Sequence, residues 1–294
     1  MKGIYSALLG AFDTAGRVDA RGVHALVRHN IENCHVDGLY VNGSTGENFM
    51  MTTEAKKQVF SLAAEAAQGE IHMIAHIGST VLEETLELAD YVAGLDYDAV
   101  SAVTPFYYKF SSEAIKDYYR TIASKSRLPV VAYYIPALTG VQLDVSDIEE
   151  ILRMPNMIGL KFTSNDFFTL ERLRYALPDK LILSGYDEML LSAAVLETDG
   201  AIGSTYNVIG HWAKQVVEAV RANDLAKARK MQHHMNVVIS DVIDAGLYPT
   251  LKEIAAQYGV PIGGCKAPMK PTTDAQREAG QRIFNYIKSV DDRS

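Results

Sequence analysis

A (β/α)8 barrel with a helical C-terminal extension is the α/β fold class that the sequence predicts. Three observations lead there. Short runs, apolar on both faces, recur at Ile4–Leu9, Leu39–Val41, Met73–Ile77, Ala99–Val103, Val130–Tyr133, Ile158–Leu160, Leu181–Leu183 and Ala201–Ile202. Segments of helical period lie between most of them, and such alternation implies parallel strands covered by helices. Eight units within ~200 residues match the requirement of a closed barrel, with a doubly wound open sheet as the alternative. No linker or low-complexity tract divides the 294 residues, so they read as one domain: a barrel core over about 1–210 and helices over 211–294 packed on it.

The connecting elements follow in order. Ala55, Val59, Leu62, Ala63 and Ala66 share one helical face before Gly69. Thr80 and Glu83 have capping-box spacing ahead of Leu82, Leu86, Ala89 and Ala93, and Gly94 stops that helix. Ser146 and Glu149 repeat the spacing. Roughly 90 residues follow Gly203, more than one closing helix uses, and His211–Arg221, Leu225–Ala245 and Pro249–Tyr258 read as further helices.

Composition narrows the function. With 48% hydrophobic and 22% charged residues the chain is ordinary for a globular protein. A net charge of -8 and a single tryptophan leave no basic, aromatic footprint for nucleic acid. No apolar stretch approaches the ~20 residues of a membrane span. Cys34 and Cys265 form no CxxC pair, and the N-terminus lacks the basic-then-apolar pattern of a signal peptide, so a cytoplasmic location is expected. Of the eight histidines only His72 and His76 have HxxxH spacing, and they fall on an apolar run that reads as a strand rather than a helix, so no metal is expected.

Chemistry concentrates at the ends of the apolar runs. Lys161 closes Met157–Leu160, and Tyr133 closes Pro129–Ala132 one strand-helix unit earlier. A partly desolvated amine favours its neutral, nucleophilic form, and a nearby phenol can move the protons of imine chemistry. The competing explanation is a lysine snorkelling from a strand end beside a packed ring. Gly43-Ser44-Thr45-Gly46-Glu47 follows the second run and offers amides and hydroxyls to an anion, or else a helix cap through Ser44 and Glu47. Tyr133-Tyr134-Ile135-Pro136 and Thr104-Pro105-Phe106-Tyr107-Tyr108 supply packing rings or proton-transfer groups. Gly185-Tyr186-Asp187-Glu188 and Gly203-Ser204-Thr205-Tyr206-Asn207 place carboxylates and hydroxyls where barrel active sites lie, suited to a polyhydroxylated ligand or simply to solvent.

These motifs, with Gly159-Leu160-Lys161-Phe162-Thr163 and Ala99–Tyr108, resemble in order and spacing the N-acetylneuraminate lyase and dihydrodipicolinate synthase superfamily of class I aldolases, and its lyase branch most closely. The resemblance implies a small-molecule substrate, sialic acid, cleaved reversibly to N-acetylmannosamine and pyruvate through an imine on Lys161 and without a cofactor. It also implies that Ser44 and Thr45 hold the carboxylate and that Tyr133 transfers protons with Ser44 and with Tyr107 from a neighbouring subunit of a homotetramer. Thr163, Gly185, Asp187, Glu188, Ser204 and Tyr248 match positions around the sugar tail. Leu138 stands where the synthases usually carry arginine, which argues against their reaction. Phe162 and Tyr134 are bulkier than the polar residues at those positions in some lyases. An aldolase for another 2-keto-3-deoxy sugar acid, or a non-catalytic sugar-acid binding protein, is the alternative.

Overall fold

The computed structural model describes residues 1–293. In chain order its elements are β1 (Gly3–Ala7), α1 (Ala20–Glu32), β2 (Gly38–Val41), α2 (Thr53–Ala67), β3 (His72–His76), α3 (Leu82–Val92), β4 (Ala99–Val103), α4 (Ser112–Lys125), β5 (Val130–Tyr134), the single turn α5 (Pro136–Thr139), α6 (Val145–Arg153) and β6 (Met157–Phe162). They continue with α7 (Phe167–Ala176), β7 (Leu181–Ser184), α8 (Leu190–Val195), β8 (Gly200–Gly203), α9 (Tyr206–Arg221), α10 (Leu225–Ala245), α11 (Leu247–Gln257) and α12 (Asp274–Asp291). The eight strands pair in sequence order, all parallel, and β8 closes on β1. The barrel expected from the apolar runs is therefore the fold, and C-terminal helices accompany it.

Burial explains why both faces of the strands are apolar. Alternate residues point inward, and Tyr5, Tyr40, Ile74, Val131, Tyr133, Leu183 and Ile202 form a cluster separate from the one under the helices. The outward set, including Ile4, Leu39, Met73, Val100, Leu160 and Ile182, packs with the helices. Because Val131 and Tyr133 point inward and pair with Gly159 and Lys161, the Lys161 amine also enters the barrel near its C-terminal end.

Several local expectations change. Thr80 does not cap α3: Val81 occupies that position with no side-chain cap. Ser146 lies inside α6, which Asp144 caps by accepting from the Asp147 amide. In both cases a nearby residue took the non-helical backbone that capping needs. His211 falls within α9, which starts at Tyr206. The helix α12 lies beyond the helices that the sequence predicts, although Thr273 and Gln276 form a complete capping box at its start. α10 packs along α9, and α12 along α10 and α11.

Candidate active site

The C-terminal mouth of the barrel holds a cavity of about 210 Å³. It is lined by Ser44, Thr45, Tyr133, Lys161, Thr163, Gly185, Asp187, Glu188, Ser204 and Tyr248, so all these residues singled out in the sequence converge. An adjoining apolar cavity of about 230 Å³ shares Ser44, Ile135, Leu138 and Tyr248. Tyr107 is not brought to the mouth within the chain. The residue is 86% exposed, and its backbone is left-handed, with φ 79°.

Lys161 is the penultimate residue of β6 and is only 5% exposed. Its Nζ lies 4.0 Å from the centre of the Tyr133 ring and 4.4 Å from that of Tyr40. Burial pulls the ammonium down to about 7, against the opposing charge of Asp187. Lys56, Lys116 and Lys252 are also buried, but each meets a carboxylate. Lys161 has no ion pair among the described residues. A neutral amine is thus accessible near neutral pH at the base of an open cavity, which is the requirement of a nucleophilic lysine.

Tyr40 and His76 complete a cage that sequence reasoning missed. The Tyr40, Tyr133 and His76 rings stand 5.7 to 6.0 Å apart, with Tyr133 edge-on to the other two. Tyr40 donates its hydroxyl to Ser101 Oγ at 2.9 Å. His76 Nε2 accepts from the Val103 amide at 3.2 Å, which leaves Nδ1 to donate to the Asn42 carbonyl at 3.0 Å. Burial, and then the charge of Lys161, push this imidazole down to about 3, so it remains neutral. Both residues sit inside apolar runs, where an inward polar side chain gives no separate pattern.

Tyr133 is buried, which pushes its phenol up to about 12 against the pull of the Ser44 and Thr163 hydroxyls. The proton is held until a basic group or a developing alkoxide approaches. Thr163 Oγ1 itself has no protein hydrogen bond of ordinary geometry. A side chain at Gly185 would run into this hydroxyl, which explains the glycine after β7.

Thr45 and Ser204 share a 2.6 Å hydroxyl contact across the mouth. Ser44 and Thr45 belong to a short 3-10 turn, Ser44–Gly46, with no side-chain cap. The helix-cap alternative for Ser44 and Glu47 therefore does not hold. Asp187 accepts from the Thr205 amide at 2.9 Å and from its hydroxyl at 2.6 Å. Burial nevertheless raises its carboxyl to about 6, with a smaller push from Glu188. Phe162 and Tyr134 are absent from the lining of this cavity. The two-residue strand period turns them to the opposite face, where their rings stack at 5.8 Å.

Residues 1–286 match the dihydrodipicolinate synthetase family over nearly the whole barrel and extension. The chain is 48% identical to an N-acetylneuraminate lyase of Clostridium perfringens over 283 residues, covering 96% of this chain and 98% of that one. The chain belongs to this family, on its N-acetylneuraminate lyase branch. Its fold superposes on the crystal structure of CdNal from Clostridium difficile in complex with mannosamine, with a TM-score of 0.95 and 47% identity, covering 97% of this chain and 98% of that one. N-acetylneuraminate lyase from Fusobacterium nucleatum complexed with pyruvate gives 0.93 and 47%, covering 97% and 96%.

Proposed function

We propose that the chain cleaves N-acetylneuraminate reversibly to N-acetylmannosamine and pyruvate, with Lys161 as the imine-forming nucleophile. One observation carries this reading: the buried lysine without a carboxylate partner lies at the barrel mouth beside a buried tyrosine. It occurs in a chain whose near relatives are N-acetylneuraminate lyases. The complexes of related structures with pyruvate and mannosamine support the two halves of the substrate.

In the proposed sequence the neutral amine adds to the C2 ketone and water leaves, giving a protonated imine. That imine accepts the electrons of the C3–C4 bond as the C4 hydroxyl loses its proton, and N-acetylmannosamine departs as the aldehyde. Protonation of the enamine at C3 and hydrolysis release pyruvate and restore Lys161. These steps need neither a metal nor an organic cofactor. Tyr133 moves the protons, assisted by Ser44. Ser44 and Thr45 hold the carboxylate, whereas Thr163, Gly185, Asp187, Glu188, Ser204 and Tyr248 surround the hydroxylated tail.

The same reading makes the enzyme a cytoplasmic homotetramer in which Tyr107 of one subunit completes a neighbour's site. An exposed tyrosine held at positive φ beside the exposed Tyr108 supports such a contact, and two free cysteines suit a reducing compartment. Pyruvate release from N-acetylneuraminate, followed with a coupled dehydrogenase, tests the reaction. Release from a shorter 2-keto-3-deoxy sugar acid alone would shift the assignment to another aldolase, and no release from either would leave a binding protein. Light scattering tests the assembly, and a fully active monomer would exclude the shared site.

A further inference from the structure

Glu47 lies directly after the turn that carries Ser44 and Thr45, and its backbone is left-handed, with φ 62°. Its side chain meets Lys252 of α11 at 2.5 Å, with exposures of 0% and 1%. The other carboxylate oxygen accepts from the Lys266 amide at 2.6 Å. Lys252 also donates to the Gly264 carbonyl at 2.8 Å and stands 4.9 Å over the Phe12 ring. Four separate segments therefore close on one dry ion pair: the loop after β1, the turn after β2, α11, and the chain that follows α11. One turn before Lys252 on the same helix, Tyr248 lines the barrel mouth.

A buried ion pair is a weak source of net stability, because taking two charges out of water costs about as much as their attraction returns. Its effect here is geometric. The Ser44–Gly46 turn has no side-chain cap, and a non-glycine residue at positive φ persists only where its surroundings hold it. We infer that Glu47 and Lys252 are positioning residues for the pyruvate half of the site, fixing the Ser44 and Thr45 hydroxyls relative to Lys161 and Tyr248. The inference rests on the imine reading above and adds to it the role of the C-terminal helices in substrate binding.

The test compares the full-length wild type with Glu47→Gln, Lys252→Met and the double variant. For each, Tm is measured together with the pyruvate concentration that half-saturates borohydride trapping. Small displacements of positioning groups are costly, so each folded variant should need about tenfold more pyruvate or more. The double variant, with no unpaired buried charge, should recover most of the Tm that Lys252→Met loses, yet keep the weakened pyruvate dependence. Wild-type pyruvate dependence in folded Glu47→Gln or in the double variant would overturn the inference and leave the pair as packing only. Absence of trapping in the wild type would instead overturn the imine reading.

Discussion

Lys161 and Lys252 are both lysines removed from water, yet the barrel treats them in opposite ways. Lys252 has a carboxylate at 2.5 Å and a carbonyl at 2.8 Å, so its side chain is held in place by partners of its own. Lys161 has two aromatic faces and only the through-space charge of Asp187, so burial lowers it to about 7. Burial alone therefore does not make a nucleophile. What matters is burial without a partner, beside a cavity that a ketone can enter.

Replacing the unpaired lysine should have the largest effect. Lys161→Ala is expected to lose cleavage on the order of 10⁴-fold or more and to abolish borohydride-trapped pyruvate, as removal of a covalent nucleophile does. Steady-state pyruvate release and intact mass check both. Cleavage within tenfold of wild type would show that Lys161 is not the nucleophile.

Tyr133→Phe follows, with a turnover loss of ~10² to 10⁴-fold and imine formation slowed but detectable, because the proton carrier goes while the amine remains. Single-turnover trapping beside steady-state rates separates the two steps. Unchanged turnover would return Tyr133 to a packing role.

Stability should move in opposite directions at the two lysines. Lys252→Met strands the Glu47 carboxylate in the interior and should cost ~3 to 5 kcal/mol. Lys161→Met removes a desolvated amine and should stabilise the fold. The folded value of about 7 lies below the unfolded 10.5, so the folded protein holds fewer protons between them, and wild-type stability rises with pH across that window. The gain in Lys161→Met is therefore largest below about pH 7 and fades towards 10.5. Urea titrations at pH 6 and pH 9 would show it, and equal gains at both would contradict the lowered amine.

The smallest effect is expected at the tail. Asp187→Asn or Glu188→Gln should weaken N-acetylneuraminate cleavage by ~1 to 3 kcal/mol and leave pyruvate trapping nearly intact, since the proposed pyruvate half of the site is formed by Ser44, Thr45 and Lys161. The ratio of kcat/KM for N-acetylneuraminate to that for a shorter 2-keto-3-deoxy acid measures this. An unchanged ratio would place sugar recognition elsewhere.

Much of this arrangement is legible in the chain because parallel barrel strands are buried on both faces and so stand out as apolar runs. A residue that ends such a run is thereby placed at the mouth, which is how Lys161, Tyr133, Ser44 and Asp187 are found. Tyr40 and His76 escape because they lie within the runs, where inward and outward residues look alike. Glu47 is visible in its motif, but its partner Lys252 lies on a helix of the C-terminal extension, and no local spacing links them. The misplaced caps at Thr80 and Ser146 have a different cause: several polar residues lie near each helix start, and tertiary packing chooses among them.

In the proposed mechanism Lys161 is the nucleophile because, among the described buried lysines, it alone lacks a carboxylate partner. Reductive trapping with pyruvate and borohydride at a series of pH values, followed by peptide mapping, tests it directly. The adduct should fall on Lys161, with an initial rate that rises with pH through about 7. An adduct on Lys56, Lys116 or Lys252, or a Lys161 adduct whose rate rises only near the ordinary lysine value of 10.5, would contradict it.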